Sequence, residues 1–185
     1  MIGQEFEEPA KPIEIPIEGG RTLRQIFLED LEELLAFFAA NKEFFRTYAP
    51  KLAEELCDRQ RLAHEIIHPP IEGRLQFAGI EDSKLFGYFT LDPTTVEGPA
   101  EIGYSVGESF TNRGLATEAV KALLKYAFEH LNESKVGATI EVGNEPSRKI
   151  VDKLGFSFTS EHDVFYKSRI RRIQQFELTK EELAV

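Results

Sequence analysis

The sequence predicts a mixed α/β fold built on one sheet, and three observations predict it. Short runs that read as strands cluster between residues 75 and 106, punctuated by turn residues. A long apolar stripe at helical spacing follows, through Ala119, Val120, Leu123, Leu124, Ala127 and Leu131. Strand-like and helix-like runs then alternate to the end of the chain, an order that packs helices against a sheet. The length of 185 residues suits one domain with its own core, and 42% hydrophobic with 29% charged residues is an ordinary globular balance.

Taken in order, residues 1–20, "MIGQEFEEPAKPIEIPIEGG", read as an extended arm stiffened by Pro9, Pro12 and Pro16. The domain proper runs from 21 to 185. "RTLRQIF" reads as a first strand, and Leu31, Leu34, Leu35 and Phe38 space a first helix. A second helix is expected from about Lys51 to Ile67, stopped by Pro69 and Pro70. "RLQFAGIE" and "LFGYFTLD" form a hairpin about the turn-like "DSK", and "AEIGYSV" adds a third run. The striped helix comes next, then the strand "KVGATIEV" and a short helix in "EPSRKIVDKLG" that ends at Gly155. "FSFTS" and the alternating tail "RIRRIQQFELT" complete the chain as strands.

Several functions are disfavoured by composition. The net charge of −10 argues against binding nucleic acid, whose phosphates call for a basic face. The basic cluster Lys167, Arg169, Arg171 and Arg172 reads as the solvated face of the last strand. The single cysteine, Cys57, allows no intrachain disulfide. No apolar run reaches membrane-spanning length and the acidic, proline-broken start is unlike a secretory signal, so no membrane partner and a cytoplasmic address are expected.

One motif suggests a metal. His64-Glu65-Ile66-Ile67-His68 spells H-E-x-x-H, the helical zinc signature of metalloproteases. On a helical wheel, however, His64 and His68 fall about 100–150° from the apolar face centred on Leu56, Ala63 and Ile66. No third ligand is singled out downstream, and no metal site is expected.

The segment from Ala100 to Phe156 makes the stronger claim. A strand ends near Val106, a loop "ESFTN" follows, and a helix opens at Gly114. Helix openings leave backbone N–H groups unpaired and partly positive, so they receive phosphates. Gly114 and Ala116 keep that ledge clear, and Arg113 could add a charge. After the next strand comes "GNEPSRKIVDKLGF", with Asn144 at its start and Ser147 three residues on.

Together these residues resemble the GNAT superfamily of N-acetyltransferases. The (Gln/Arg)-x-x-Gly-x-(Gly/Ala) motif is matched by Thr111 to Ala116, and Asn-x-x-Ser with a closing Leu-Gly-Phe by Asn144, Ser147 and Leu154 to Phe156. "AEIGY" with "GLATEA" is most similar to the branch of RimJ/RimL-type ribosomal-protein N-acetyltransferases. Two departures stand out: Thr111 occupies a position where many members carry Gln or Arg, and Val151 one where many carry a Tyr that protonates the leaving thiolate.

The resemblance implies a single, mostly antiparallel central sheet with splayed middle strands, flanked by helices. It implies acetyl-CoA in the gap between the "AEIGYSV" and "KVGATIEV" strands. The diphosphate would rest on the backbone N–H groups of Arg113, Gly114, Leu115, Ala116 and Thr117, with Asn112 also counted as cofactor-binding, the pantetheine beside Tyr104, Ser105 and Val106, and the thiol end near Asn144 and Ser147. The expected reaction is direct attack of an amine on the thioester, with an N–H near Val106 receiving the oxyanion. Ser147 is the candidate acid and Glu101 the candidate base, with Glu108 and Glu161 as alternative bases. The acceptor is an amine, either a protein N-terminus or a small molecule such as a polyamine or aminoglycoside. A module that binds coenzyme A without turnover is the alternative, and a homodimer is left open.

Overall fold

The computed structural model describes residues 12–48, 50–94, 98–166 and 169–183. Eight strands form one sheet: β1 (Glu14–Ile17), β2 (Arg21–Gln25), β3 (Leu75–Glu81), β4 (Lys84–Asp92), β5 (Ala100–Val106), β6 (Lys135–Glu141), β7 (Ser157–Tyr166) and β8 (Arg169–Thr179). Their order across the sheet is β1-β2-β3-β4-β5-β6-β8-β7. Every neighbouring pair is antiparallel except β5 and β6. The expected mixed α/β sheet is therefore observed.

Among the described residues, six α-helices cover its two faces. Helices α1 (Leu31–Ala40), α2 (Lys42–Tyr48), α3 (Pro50–Glu55) and α4 (Arg59–Ile67) precede β3, while α5 (Leu115–His130) and α6 (Glu145–Leu154) follow β5 and β6. Adjacent residues of β3 show the division. Phe77 packs in a core with Leu115, Val120, Leu123 and Leu124 of α5, whereas Ala78 packs with Leu34, Phe38 and Leu62 of the early helices. Successive strand residues face opposite sides, so one sheet serves two cores.

Two expectations need correction. The sheet begins before residue 21: β1 pairs with β2 from Glu14↔Arg24 to Ile17↔Arg21 and buries Ile15 and Ile17. Burying two such side chains contributes about 1.5–3 kcal/mol each, enough to order a four-residue strand that Pro16 disguises. Residues 1–11 of the expected arm lie outside the described residues. The two early helices are also four. Asn41 closes α1, its amide donating to the Phe37 carbonyl at 2.8 Å. Asp58 opens α4, its carboxylate accepting from the Arg61 N–H at 2.8 Å. Short polar side chains that bond their own backbone compete with helix continuation.

The junction of β5 with β6 positions the site. Only Ala100↔Val136 and Glu101↔Gly137 are paired. Beyond them β6 stays paired to β8 through Glu141, and β5 stays paired to β4 through Val106. The two strands thus join at one end and part at the other, leaving the facing backbone edges unpaired over the last five residues of β5, Ile102 to Val106. Among the described residues, no helix is long and apolar enough to cross a membrane.

Candidate active site

A cavity of about 420 Å³ lies in that gap. One wall is the end of β5, from Tyr104 to Val106; another is the opening of α5, with Asn112, Gly114, Leu115, Ala116 and Thr117; a third is the first turns of α6, with Asn144, Ser147 and Lys149. Two sequence motifs, Thr111 to Ala116 and Asn144 to Ser147, are thereby brought to one space.

The α5 opening follows from its local sequence. Asn112 and Gly114 both adopt left-handed backbone, with φ of 58° and 79°. Asparagine tolerates this conformation and glycine takes it without cost, so the chain turns sharply into the helix. Space does not demand the glycine, since a Cβ there would lie 3.7 Å from its nearest neighbour, Glu118 Oε1. Conformation demands it. The first helical bond runs from the Glu118 N–H to the Gly114 carbonyl, so the amides of Leu115, Ala116 and Thr117 have no partner within the helix. Gly114 has no side chain with which to cap them.

At α6 the Asn144 side chain accepts the Ser147 N–H at 3.2 Å and acts as the N-cap. That assigns the capping role to Asn144, and Ser147 is among the residues lining the cavity. The Tyr104 hydroxyl spans from β5 to α6 and donates to the Ser147 carbonyl at 3.1 Å. Burial pushes this phenol well above the usual tyrosine range.

Of the expected donor-site residues, Tyr104, Ser105, Val106, Asn112, Gly114, Leu115, Ala116, Thr117, Asn144 and Ser147 all line the cavity. Arg113 does not. Its guanidinium pairs with Glu81 at 2.8 Å and lies over the Phe110 ring, so the expected extra charge on an anion is already engaged elsewhere. Glu81 holds Arg21 as well, at 2.8 Å.

None of the three candidate bases lines the cavity. Glu101 is exposed at the closed end of the gap, paired across the strands with Asp92 and Gly137. Glu108 is exposed, and its N–H is held by Asn41 at 2.8 Å. Glu161 sits on the β7–β8 hairpin, where it accepts from Gln174 at 2.8 Å. Among the described residues, the lining contains one charged side chain, Lys149, and no carboxylate or imidazole.

Sequence reasoning missed Lys149, Phe44, Phe45 and Phe110. Lys149 carried a readable signal: Pro146, Lys149 and Ile150 share a helical face with one another at i, i+3 and i+4. Phe44 and Phe45 carried none, because their position depends on how α2 docks.

The H-E-x-x-H motif spans the end of α4 and its C-cap. His64 and His68 are exposed, their rings 5.3 Å apart. Glu65 pairs with Arg74 at 2.9 Å, and Arg74 also grips the buried Asp92 through two hydrogen bonds. Among the described residues, no group of three or more His, Cys, Asp or Glu is arranged to hold a metal. In the basic cluster, Arg172 pairs with Asp163 at 2.9 Å and Arg171 with Glu141; Lys167 lies outside the described residues.

Comparison with known proteins gives consistent results. The family model described as "Acetyltransferase (GNAT) domain" matches residues 21–157. The putative ribosomal N-acetyltransferase YdaF of Bacillus subtilis is 33% identical over 103 residues, 49% of this chain and 56% of that protein. The chain thus spans about half the length of the curated relatives it matches. Among solved structures, RimL, a ribosomal L7/L12 alpha-N-protein acetyltransferase in complex with coenzyme A, superposes with a TM-score of 0.79 at 13% identity, over 90% of this chain and 98% of that one. Mycobacterium smegmatis RimJ, in complex with CoA-disulfide, gives 0.73 at 22% identity, over 94% and 89%. These two likenesses establish a shared fold.

Proposed function

The chain belongs to the GNAT acetyltransferase family, and we propose that it transfers an acetyl group from acetyl-CoA to a primary amine of low basicity, a peptide or protein N-terminal α-amine. The observation that carries this reading is the meeting of both motifs and the unpaired end of β5 around one cavity.

The residues fit such a donor. The amides of Leu115, Ala116 and Thr117 would receive its diphosphate, as helix openings do, with Lys149 the one cation among the described lining residues. The free edge of β5 between Tyr104 and Val106 suits an extended pantetheine. Coenzyme A supplies the activated thioester. The chain's part is to orient it, to exclude water and to offer the Val106 N–H to developing oxyanion charge, a contribution of about 10²–10³ in rate. Ser147 is positioned to contact the sulfur end.

A lining without carboxylate or imidazole bears on the acceptor. An amine must lose its proton before attack. At pH 7 an α-amine of pKa about 7.8 is roughly 14% neutral, whereas a lysine-like amine near 10.4 is roughly 0.04% neutral. A cavity with no base of its own therefore suits the α-amine. A polycation would find no carboxylate partner among the described lining residues. A cytoplasmic location belongs to the same proposal.

The test is thiol release from acetyl-CoA in the presence of N-terminal peptides, spermidine and an aminoglycoside. Peptides are expected to react fastest, at a rate that rises with pH until the α-amine is neutral. Equal or faster turnover of spermidine contradicts the acceptor assignment. Coenzyme A binding without thiol release on any amine contradicts transfer and favours a binding module.

A further inference from the structure

The geometry points to Tyr104 as the proton donor to the sulfur that leaves during acyl transfer, a role that Val151 cannot fill. This inference rests on the acetyl-transfer reading above. Val151 is a fully buried aliphatic side chain in the core beneath α6, with no proton to give. Yet a thiolate leaving a thioester acquires a proton, and the cavity contains few groups able to supply one.

Tyr104 meets the requirements of place. It stands three residues beyond Glu101, the last residue of β5 paired with β6, so it projects where the strands have parted. It shares a strand face with Ala100 and Ile102, the face that packs with α5. Its hydroxyl reaches across to the Ser147 carbonyl in the first turn of α6, at 3.1 Å. The phenol therefore spans from β5 to α6, between the residues proposed to hold the pantetheine and those proposed to meet its thiol.

The other protic groups of the lining are less suited. Thr111 and Thr117 belong to the turn into α5, at the proposed diphosphate end of the cavity. Lys149 is exposed, half a helical turn beyond Ser147. Ser105 alternates to the opposite strand face from Tyr104. Ser147 is adjacent, but tyrosine is among the side chains that serve as general acids, and the Tyr104 hydroxyl is the group that spans from β5 to α6. Burial raises the pKa of this phenol, which keeps it protonated near neutral pH and also makes it a weaker acid than a free tyrosine.

The step balances. The amine nitrogen forms a bond to the acetyl carbon, and the carbon–sulfur bond breaks with its electron pair going to sulfur. Sulfur takes the phenol proton. The nitrogen, now carrying one proton too many, releases it to water, from which the phenolate is restored. The sum moves one proton from nitrogen to sulfur and leaves Tyr104 unchanged.

The experiment compares wild type, Tyr104→Phe and Ser147→Ala in kcat and in the ionisation of the bound coenzyme A thiol. The thiol is followed by its thiolate absorbance as the difference between loaded and free protein, below the pH at which tyrosines ionise. Loss of the phenol is expected to lower kcat on the order of 10²-fold while coenzyme A still binds, which confirms an intact fold. The bound thiol is expected to ionise about one unit higher in Tyr104→Phe than in wild type, because a hydrogen bond to the charged form is gone. Full kcat in Tyr104→Phe, unchanged thiol ionisation, or loss of kcat confined to Ser147→Ala overturns the role of Tyr104 alone. Wild-type protein that binds coenzyme A and releases no thiol overturns the transfer reading and this inference with it.

Discussion

Glu81 holds together two arginines, Arg21 and Arg113. Its carboxylate accepts Arg21 and Arg113, and the Arg21 hydrogen bond, followed by that of Arg113, holds it below the usual glutamate range. A carboxyl whose pKa is lower in the folded chain binds protons more readily when unfolded, so stability rises with pH through the interval between the two values. The contribution is complete above the ordinary value of about 4.3 and is lost as pH falls through the folded one. Urea unfolding followed between about pH 6 and pH 3 is expected to show this acid loss, and Glu81→Gln to flatten it; an identical acid limb in the variant contradicts the assignment. Asp163, held low by Arg172, contributes in the same direction. The two motifs were readable as residue patterns, but the left-handed φ of Gly114 and the capping role of Asn144 emerge only in the folded chain. Arg113 was misread because its partner, Glu81, is thirty-two residues away in sequence and adjacent only in the folded sheet.

The helical layer over β3 and β4 is pinned by ions. Arg74, just before β3, joins Glu65 near the end of α4 to Asp92 at the end of β4, and the last two side chains of that chain, Arg74 and Asp92, are only 16% and 12% exposed. Gln76 continues the link, donating to the Glu65 carbonyl and accepting from Tyr88. Removing one member of a buried pair strands the other, at a cost of about 3–5 kcal/mol. Arg74→Met is therefore expected to lower Tm by roughly 6–20 °C for a chain of this length, and Arg74→Met with Asp92→Leu to recover most of it. A single variant that melts like wild type contradicts the network's role. Elements were legible where periodicity is long: α5 shows its stripe over sixteen residues. They were obscured where short polar residues intervene, as at Asn41 and Asp58, or where a strand is as short as β1. Asn41 also binds the Glu108 N–H, so the break that sequence reading missed ties the early helices to the loop that leads into α5.

One sheet, opened between β5 and β6, accounts for the fold and the site together. The mixed α/β class followed from element order, but no periodicity could disclose that β5 and β6 pair over only two residues. That came through the motif resemblance, because separation of two strands is a property of what lies around them and leaves no pattern within either. The opening gives the chain a cavity with helix amides on one side, a free strand edge on another, and a phenol spanning from one wall to the next. A crystal structure of the protein with coenzyme A is the direct test of the cavity's proposed use as an acyl-donor site. The account predicts diphosphate oxygens within hydrogen-bonding distance of the Leu115, Ala116 and Thr117 amides, pantetheine along Tyr104 to Val106, and sulfur beside the Tyr104 hydroxyl. Coenzyme A bound elsewhere, with the gap between β5 and β6 left to solvent, would contradict it.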